Sequence, residues 1–370
     1  MRVLHIIGGL GSGGAQKLVE DSVPVMNQLE NIEVEVLLLN DSSNVFDKKL
    51  KENKIKISVV PLRKPRSPIN IFFIRNHIVR GNYDIVHVHL FPTNYWASIA
   101  SKLIIKNKPK FITTEHSTHN RRRDRWYFRN IDRLVYSNYD KVFSISEQTQ
   151  NNLLNWLGVK GEKSNKFIVI ENGIDVSRFV NAIPYKKNEV VNGLRETDIL
   201  LCMGGRFSIQ KDQATIIKAM KNLPSHIHLL LIGEGELKFE CEQLAKKLGV
   251  SDRVHFLGFR YDVDRIFKSV DIVVLSSHWE GFGLAAVEGM AAGKPVIASA
   301  VQGLREVVEG AGRLFPRGNS SALSEIVKSL INNKDEYTKI KQASRDKADL
   351  FHIDKMVKEY VKEYNSLRIN

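Results

Sequence analysis

Two carboxylates, Glu280 and Glu288, carry the strongest chemical signal in this chain. They bracket the run Glu280-Gly281-Phe282-Gly283-Leu284-Ala285-Ala286-Val287-Glu288. An apolar stretch, 271–275, and a short polar loop, 276–279, precede it, and small helix-favouring residues continue to Ala292. The pattern reads as strand, loop and helix start. Backbone N–H groups in the first turn of a helix have no intrahelical acceptor, and the helix dipole favours an anion there. Glycine lets a ligand come close to that turn. Leu284 and Glu288 lie four apart and share a helix face. A phosphate at the helix start, with a carboxylate one turn behind it facing paired hydroxyls, describes a nucleotide-sugar site.

A second constellation is Gly204-Gly205-Arg206-Phe207-Ser208-Ile209-Gln210-Lys211-Asp212, between an apolar strand and a helix. Arg206 and Lys211 set two cations across the loop. Fixed charges in a water-poor site neutralise a developing diphosphate leaving group. The plainer alternative is a surface arginine and a helix-initiating lysine. The same layout stands near the N-terminus, where Gly8-Gly9-Leu10-Gly11-Ser12-Gly13-Gly14 follows the first apolar run and opens a helix at 15–19. It contains Gly9-x-Gly11-x-x-Gly14, the spacing of a dinucleotide-binding turn, with Asp41 placed as a ribose-binding acid. Read generally, it is a loop whose backbone approaches a phosphate or a sugar, or simply a tight turn.

The elements that must position these residues are short β-branched runs alternating with helical stretches. In the first half the expected strands are 3–7, 34–39, 57–60, 85–88, 111–114, 141–145 and 167–170. Residues 181–198 lose periodicity and read as a linker. Strands then resume at 199–203, 227–232, 254–257, 272–275, 296–299 and 313–315, with helices at 212–221, 236–248, 263–269, 283–292 and 304–309. Residues 320–370 read as helical and charged. Two successive βα blocks predict an α/β protein of two doubly wound, Rossmann-like domains, with ligands at the carboxyl ends of the strands, in the cleft between domains. The expected domains are 1–185 and 186–345, with 346–370 packing back on the first.

Composition narrows the class. The chain has 370 residues, 43% of them hydrophobic, which fits a soluble two-domain protein. No segment approaches the roughly 18 apolar residues of a membrane-spanning helix. The N-terminal Met-Arg-Val-Leu-His-Ile-Ile reads as a strand, too short for a signal peptide. Only Cys202 and Cys241 occur, which fits a reducing cytoplasm and two core thiols. The net charge is +14. Basic residues cluster at Arg63-Lys64-Pro65-Arg66, at Lys102, Lys106, Lys108 and Lys110, and at Arg121-Arg122-Arg123 with Arg125, Arg129 and Arg133 around Trp126, Tyr127 and Phe128. Such a face suits an anionic membrane or nucleic acid, or is a solvated surface. No nucleic-acid-binding motif accompanies it, so no nucleic acid is expected.

The order Gly205-Arg206…Lys211, Gly233-Glu234-Gly235-Glu236, then Glu280-x7-Glu288 resembles the retaining family 4 glycosyltransferases of GT-B fold. The resemblance extends to Glu171-Asn172-Gly173-Ile174-Asp175 before the linker and to Ala292-Gly293-Lys294-Pro295-Val296-Ile297-Ala298 after the carboxylate pair. It implies transfer of a sugar from a nucleotide diphosphate, with uridine as the expected base, to an acceptor hydroxyl. Arg206 and Lys211 would hold the diphosphate, and Glu288 the ribose. Glu280 and the backbone of Gly281, Phe282, Gly283 and Leu284 would face the donor sugar. Gly13 and Gly14 would cover the diphosphate, Gly258 and Phe259 would lie near the base, and His116 would stand beside the reacting sugar. His89 and Glu115 are acceptor-side candidates. Two departures from the family pattern are Gln302-Gly303, where two glycines are frequent, and Gly14-Ala15-Gln16, where an acid commonly follows the glycines.

No metal and no cofactor are expected, since Arg206 and Lys211 supply the positive charge. His87, His89, His116 and His119 have metal-like spacing but no accompanying strand-end acid. Asp262-Val263-Asp264 begins a helix and reads as capping. The basic first domain points to a lipid-linked saccharide acceptor at the inner face of the plasma membrane, as in capsule or lipopolysaccharide assembly. Other readings left open are a nucleotide-sugar epimerase, an NAD-binding oxidoreductase using the first glycine loop, and a non-catalytic binding protein.

Overall fold

Each short β-branched run forms a buried parallel strand, and helices cover both faces of the resulting sheets. Residues 1–118, 120–159 and 165–368 are described in this computed structural model, Arg121 by its backbone alone. His119 lies outside the described residues. The chain divides into two units, Met1–Gly173 with Ile353–Asn370, and Ile174–His352.

The first unit holds strands β1 (Arg2–Ile7), β2 (Glu33–Leu38), β3 (Lys56–Val59), β4 (Ile85–His89), β5 (Lys110–Glu115), β6 (Lys141–Ser144) and β7 (Phe167–Val169). They form one seven-stranded sheet in the order β3-β2-β1-β4-β5-β6-β7, with every neighbouring pair parallel. The second unit holds β8 (Ile199–Gly204), β9 (Ile227–Ile232), β10 (Val254–Gly258), β11 (Ile272–Leu275), β12 (Val296–Ser299) and β13 (Arg313–Phe315). Their parallel sheet runs β10-β9-β8-β11-β12-β13. Every expected strand forms, with ends displaced by no more than one residue. The GT-B resemblance therefore predicted the α/β architecture correctly.

Strand order reverses between β1 and β4 in one unit and between β8 and β11 in the other. Loops leaving such neighbours part to opposite faces and open a crevice at the carboxyl edge. The glycine loop follows β1 and His89 ends β4. The Arg206–Lys211 loop follows β8, and the loop to Glu280 follows β11.

Odd-numbered residues of β1 and β4 point to one face of the first sheet. There Val3, Ile7 and Ile85 pack with Leu18, Val23, Tyr360 and Tyr364. Tyr360 and Tyr364 belong to the C-terminal helix Ile353–Arg368, which packs on the helix Gly14–Asn27. The opposite face buries Leu4, Ile6, Val86 and Val88.

The break between units falls at Gly173 and Ile174, inside the Glu171–Asp175 motif and ahead of residues 181–198. Those residues, expected as a linker, lie in the second unit. Ile174 N–H donates to the Phe351 carbonyl at 2.9 Å. Lys187, at the start of the helical turn Lys187–Val190, reaches Asp271 at 2.9 Å. Asp262 and Asp264 stand at the start of the helix Val263–Ser269, but Asp262 makes no side-chain cap bond. It accepts from Arg260 Nε at 2.8 Å and the Tyr185 hydroxyl at 2.7 Å, while Asp264 accepts from Arg178 at 2.6 Å. Neighbouring donors outcompete the helix N–H groups, which corrects the capping expectation. Cys202 and Cys241 are buried, as expected.

The helix Leu284–Ala291 lies tightly on β11. A Cβ at Gly289 would fall 2.9 Å from Val273 Cβ. Overpacking of about 1–3 kcal/mol outweighs the gain of about 1 kcal/mol in helix propensity. Gly289→Ala is therefore expected to lower the urea midpoint of unfolding; a raised midpoint would show that the helix retreats without strain.

Candidate active site

Lys211 and Glu280 meet as an ion pair at the carboxyl edge of the second sheet. Their loops come together through a set of short contacts. The His278 N–H donates to the Gln210 carbonyl at 2.7 Å, and the Ser276 hydroxyl to the Asp212 carbonyl at 2.7 Å. Ser299, ending β12, donates to the Ser277 carbonyl at 2.6 Å. Glu280 is only 6% exposed, so its charge needs several donors. Besides Lys211 it accepts from the Ser277 hydroxyl at 2.9 Å and from Gln210 Nε2 at 3.4 Å.

Glycine is required where these loops touch. Gly303 has φ +86°, and a Cβ there would lie 2.6 Å from the Glu280 carbonyl oxygen. The single glycine of Gln302-Gly303 thus packs against the backbone of the carboxylate loop. Gly233, at φ +136°, would place a Cβ 2.2 Å from the Gly205 carbonyl oxygen. Phe207 is fully buried between the loops, with its N–H on the Glu234 carbonyl at 3.1 Å. The Phe207 anchor lets Arg206 stand exposed beside it, while the Lys211 stem runs along Gly205.

Gly283 precedes the helix Leu284–Ala291 with φ +93°, and Leu284 and Glu288 are partly exposed on that helix. Phe282 was expected to offer its backbone. Its side chain is 4% exposed and packs edge-on against Phe351, with centroids 5.2 Å apart, so only its backbone is available to a ligand. Gly258 ends β10 with φ +67°, and Phe259 beyond it packs edge-on against Tyr261 at 4.9 Å. The sequence reading missed Gln210, Ser277 and His278. Ser276-Ser277 after an apolar strand was the available signal.

In the first unit, Gly13 is the N-cap of the helix Gly14–Asn27, and Gly14 is exposed. Asp41 is engaged by Arg63 at 3.3 Å. Glu115 turns inward, accepting from the Tyr136 hydroxyl at 2.5 Å and Arg123 at 2.9 Å. Four histidines gather on β1, on β4 and just beyond β5. His5 Nδ1 lies 2.9 Å from His89 Nε2, and His89 Nδ1 lies 3.1 Å from His116 Nε2. His87 packs against them but bonds elsewhere, with Nδ1 2.6 Å from the Tyr364 hydroxyl and Nε2 2.6 Å from the Thr114 hydroxyl. Burial lowers His5 to about 3 and His116 to about 4, and pushes His87 and His89 well below the usual imidazole value. His5, His87 and His89 offer nitrogens within 4.8 Å of one another, the spacing of a metal-binding trio. Both nitrogens of His87 and of His89 are instead hydrogen-bonded, and no carboxylate belongs to the group. The spacing argument in sequence missed His5, a single histidine in an apolar strand.

Two family descriptions fit this chain, in succession along its length. Residues 12–178 match Glycosyltransferase Family 4, and residues 185–347 match Glycosyl transferases group 1. The putative glycosyltransferase EpsD of Bacillus subtilis is 28% identical over 328 residues, 84% of each chain. The UDP-Gal:alpha-D-GlcNAc-diphosphoundecaprenol alpha-1,3-galactosyltransferase of Escherichia coli is 27% identical over 235 residues, 60% of this chain and 59% of that one. The structure of HepE from Anabaena, solved in complex with UDP and glucose, aligns over 99% of both chains with a TM-score of 0.83 at 21% identity. The chain is a glycosyltransferase of GT-B fold.

The buried histidines carry a pH signature. Each is neutral when folded and titrates near 6.5 when unfolded, so unfolding takes up protons below that value. Their stabilising effect is complete above pH 6.5 and is lost as pH falls toward the folded values of about 4 for His116 and about 3 for His5. The slope is up to about 1.4 kcal/mol per pH unit for each histidine. The urea midpoint read by tryptophan fluorescence is expected to fall between pH 6.5 and 4, less steeply in His5→Asn. Equal slopes in the two proteins would contradict the burial of a neutral His5.

Proposed function

We propose that this chain is a retaining, metal-independent hexosyltransferase that moves a sugar from a UDP-sugar to an acceptor hydroxyl. The observation that carries the reading is the Lys211–Glu280 pair, set between the loops that follow β8 and β11. A cation and a carboxylate stand together where a strand-order switch and a helix start converge. The UDP and glucose bound to HepE support uridine and a hexose as donor parts.

In this reading Arg206 and Lys211 hold the diphosphate and neutralise charge as the glycosidic bond to phosphate breaks. The backbone from Gly281 to Leu284, at the positive end of its helix, receives the donor. Gly258 and Phe259 border the base, and Glu288 takes the ribose hydroxyls; Gly13 and Gly14 are assigned to the diphosphate by the family resemblance. Glu280 and His116 orient the sugar, with His89 behind His116. The acceptor attacks on the face from which the phosphate leaves, and the departing phosphate oxygen takes the hydroxyl proton. That same-face course preserves the anomeric configuration without a protein nucleophile.

The acceptor is proposed as a lipid-linked saccharide in surface polysaccharide assembly; the name of the Escherichia coli relative carries an alpha-D-GlcNAc-diphosphoundecaprenol acceptor. Among the described residues no helix is long and apolar enough to cross a membrane. The first unit instead exposes apolar side chains beside cations: Ile105 is 92% exposed and Trp126 80%, near exposed Lys102, Lys106, Lys108 and Arg125. Basic side chains beside buried apolar anchors suit the surface of an anionic bilayer.

Two measurements test this function. Calorimetric titration with UDP-sugars and sugar transfer assays should show binding and turnover undiminished by EDTA. Glu288→Ala should weaken donor binding about 10- to 100-fold, the loss of about 1.5–3 kcal/mol for hydrogen bonds to a charged group. Unchanged donor affinity removes Glu288 from the ribose, and strict dependence on an added divalent ion overturns the metal-free course. Separately, the protein is expected to sediment with phosphatidylglycerol vesicles at low salt and to be released at about 0.5 M salt, where screening is short-ranged. Absence of sedimentation at low salt would refute the membrane contact.

A further inference from the structure

His5, His89 and His116 form a series of imidazoles whose protons have few places to go. All three are neutral near pH 7, because burial disfavours the imidazolium. A neutral imidazole carries one N–H and one bare nitrogen, so each link needs one donor and one acceptor. Only two arrangements keep both links, at 2.9 and 3.1 Å.

In the first, protons point inward. His116 Nε2–H donates to His89 Nδ1, and His89 Nε2–H donates to His5 Nδ1. His5 must then carry its proton on Nε2. That atom is buried and has no hydrogen-bond partner among the described residues. In the second, protons point outward. His5 Nδ1–H donates to His89 Nε2, and His89 Nδ1–H donates to His116 Nε2. His5 Nε2 is then a bare acceptor, and His116 carries its proton on Nδ1. An N–H donor stranded in a protein interior is rarer than an under-used acceptor, and a buried donor left unpaired forfeits its full hydration. The inward arrangement strands an N–H and the outward one does not.

We infer that the buried pair His5–His89 fixes His116 as its Nδ1–H tautomer, so that His116 meets a sugar hydroxyl as a hydrogen-bond donor and not as a base. The tautomer follows from the buried chain alone; its use on a sugar rests on the glycosyltransferase reading. His5 and His89 are positioning residues, acting as a carboxylate or carbonyl does behind a metal-bound histidine. His87 takes no part, since Tyr364 and Thr114 hold both its nitrogens.

Long-range proton–nitrogen correlation spectra of the full chain labelled with 15N-histidine test this directly. His116 signals are assigned by their loss in His116→Gln. The expected wild-type pattern at neutral pH is a protonated Nδ1 and a bare Nε2 at His116; the reverse pattern overturns the inference. His5→Leu removes the innermost donor and should leave His116 as a mixture of tautomers. His5→Asn, whose amide can donate from the Nδ1 position, should restore the single form. A pure Nδ1–H form persisting in His5→Leu removes His5 from the role. In transfer assays His5→Leu is expected to lower kcat about 10-fold, in line with other supporting contacts to functional histidines, and to leave the donor KM within about twofold. A matching spectrum in a protein with no transfer activity upholds the tautomer and refutes the functional reading.

Discussion

A nearly buried carboxylate governs the second unit. Removing the Glu280 charge from water costs several kcal/mol, which only close and well-aimed donors offset. Lys211, Ser277 and Gln210 supply them, and they come from the two loops flanking the strand-order switch. Satisfying Glu280 therefore brings these loops into register, and the glycines at 233 and 303 are what let the backbones approach that closely. The pair also holds Lys211 at the strand edge and restricts the freedom of its side chain.

The first unit solves a different problem. Its strand-order switch lies between β1 and β4, and both strands carry histidines on the face covered by the C-terminal helix. Polar side chains survive in such a core only as hydrogen-bonded sets. His87 is satisfied by Tyr364 from the returning helix, so this contact ties the end of the chain to the centre of the first sheet. His5 and His89 pass the same demand outward along β4 to β5, and so a requirement of the interior reaches the carboxyl edge.

The strands were legible because parallel strands buried on both faces read as continuous apolar runs, unlike exposed ones. The spacing of Arg206 and Lys211, and of Glu280 and Glu288, was readable for the same local reason: each pair sits on one strand–loop–helix unit. What the sequence left hidden depends on distant partners. Lys211 and Glu280 are 69 residues apart, and nothing in either local pattern says that they pair. Glu115 was named as an acceptor-side candidate by position, yet Tyr136 and Arg123 draw its side chain inward. His5 has no periodic companion on its own strand; its companions are on β4.

Charge shows the same limit. The run from Arg121 to Arg133 suggests a basic surface, but the fold spends much of it internally. Arg122 is stacked over Phe91, 4.1 Å from the ring centroid, beside Asp132, and Arg123 pairs with Glu115. Arg129 and Arg133 donate to the carbonyls of Trp156 and Leu157, at 2.7 and 2.6 Å, where the helix Glu147–Leu157 ends. Cations there complement the negative end of the helix dipole and satisfy carbonyls that the helix leaves open. A count of arginines thus overstates the surface potential of this segment. The lysines at 102, 106 and 108 remain exposed, and they stand beside the most exposed large apolar side chain in the described residues, Ile105. The apolar contact and the charge, not the net charge of the chain, define that surface.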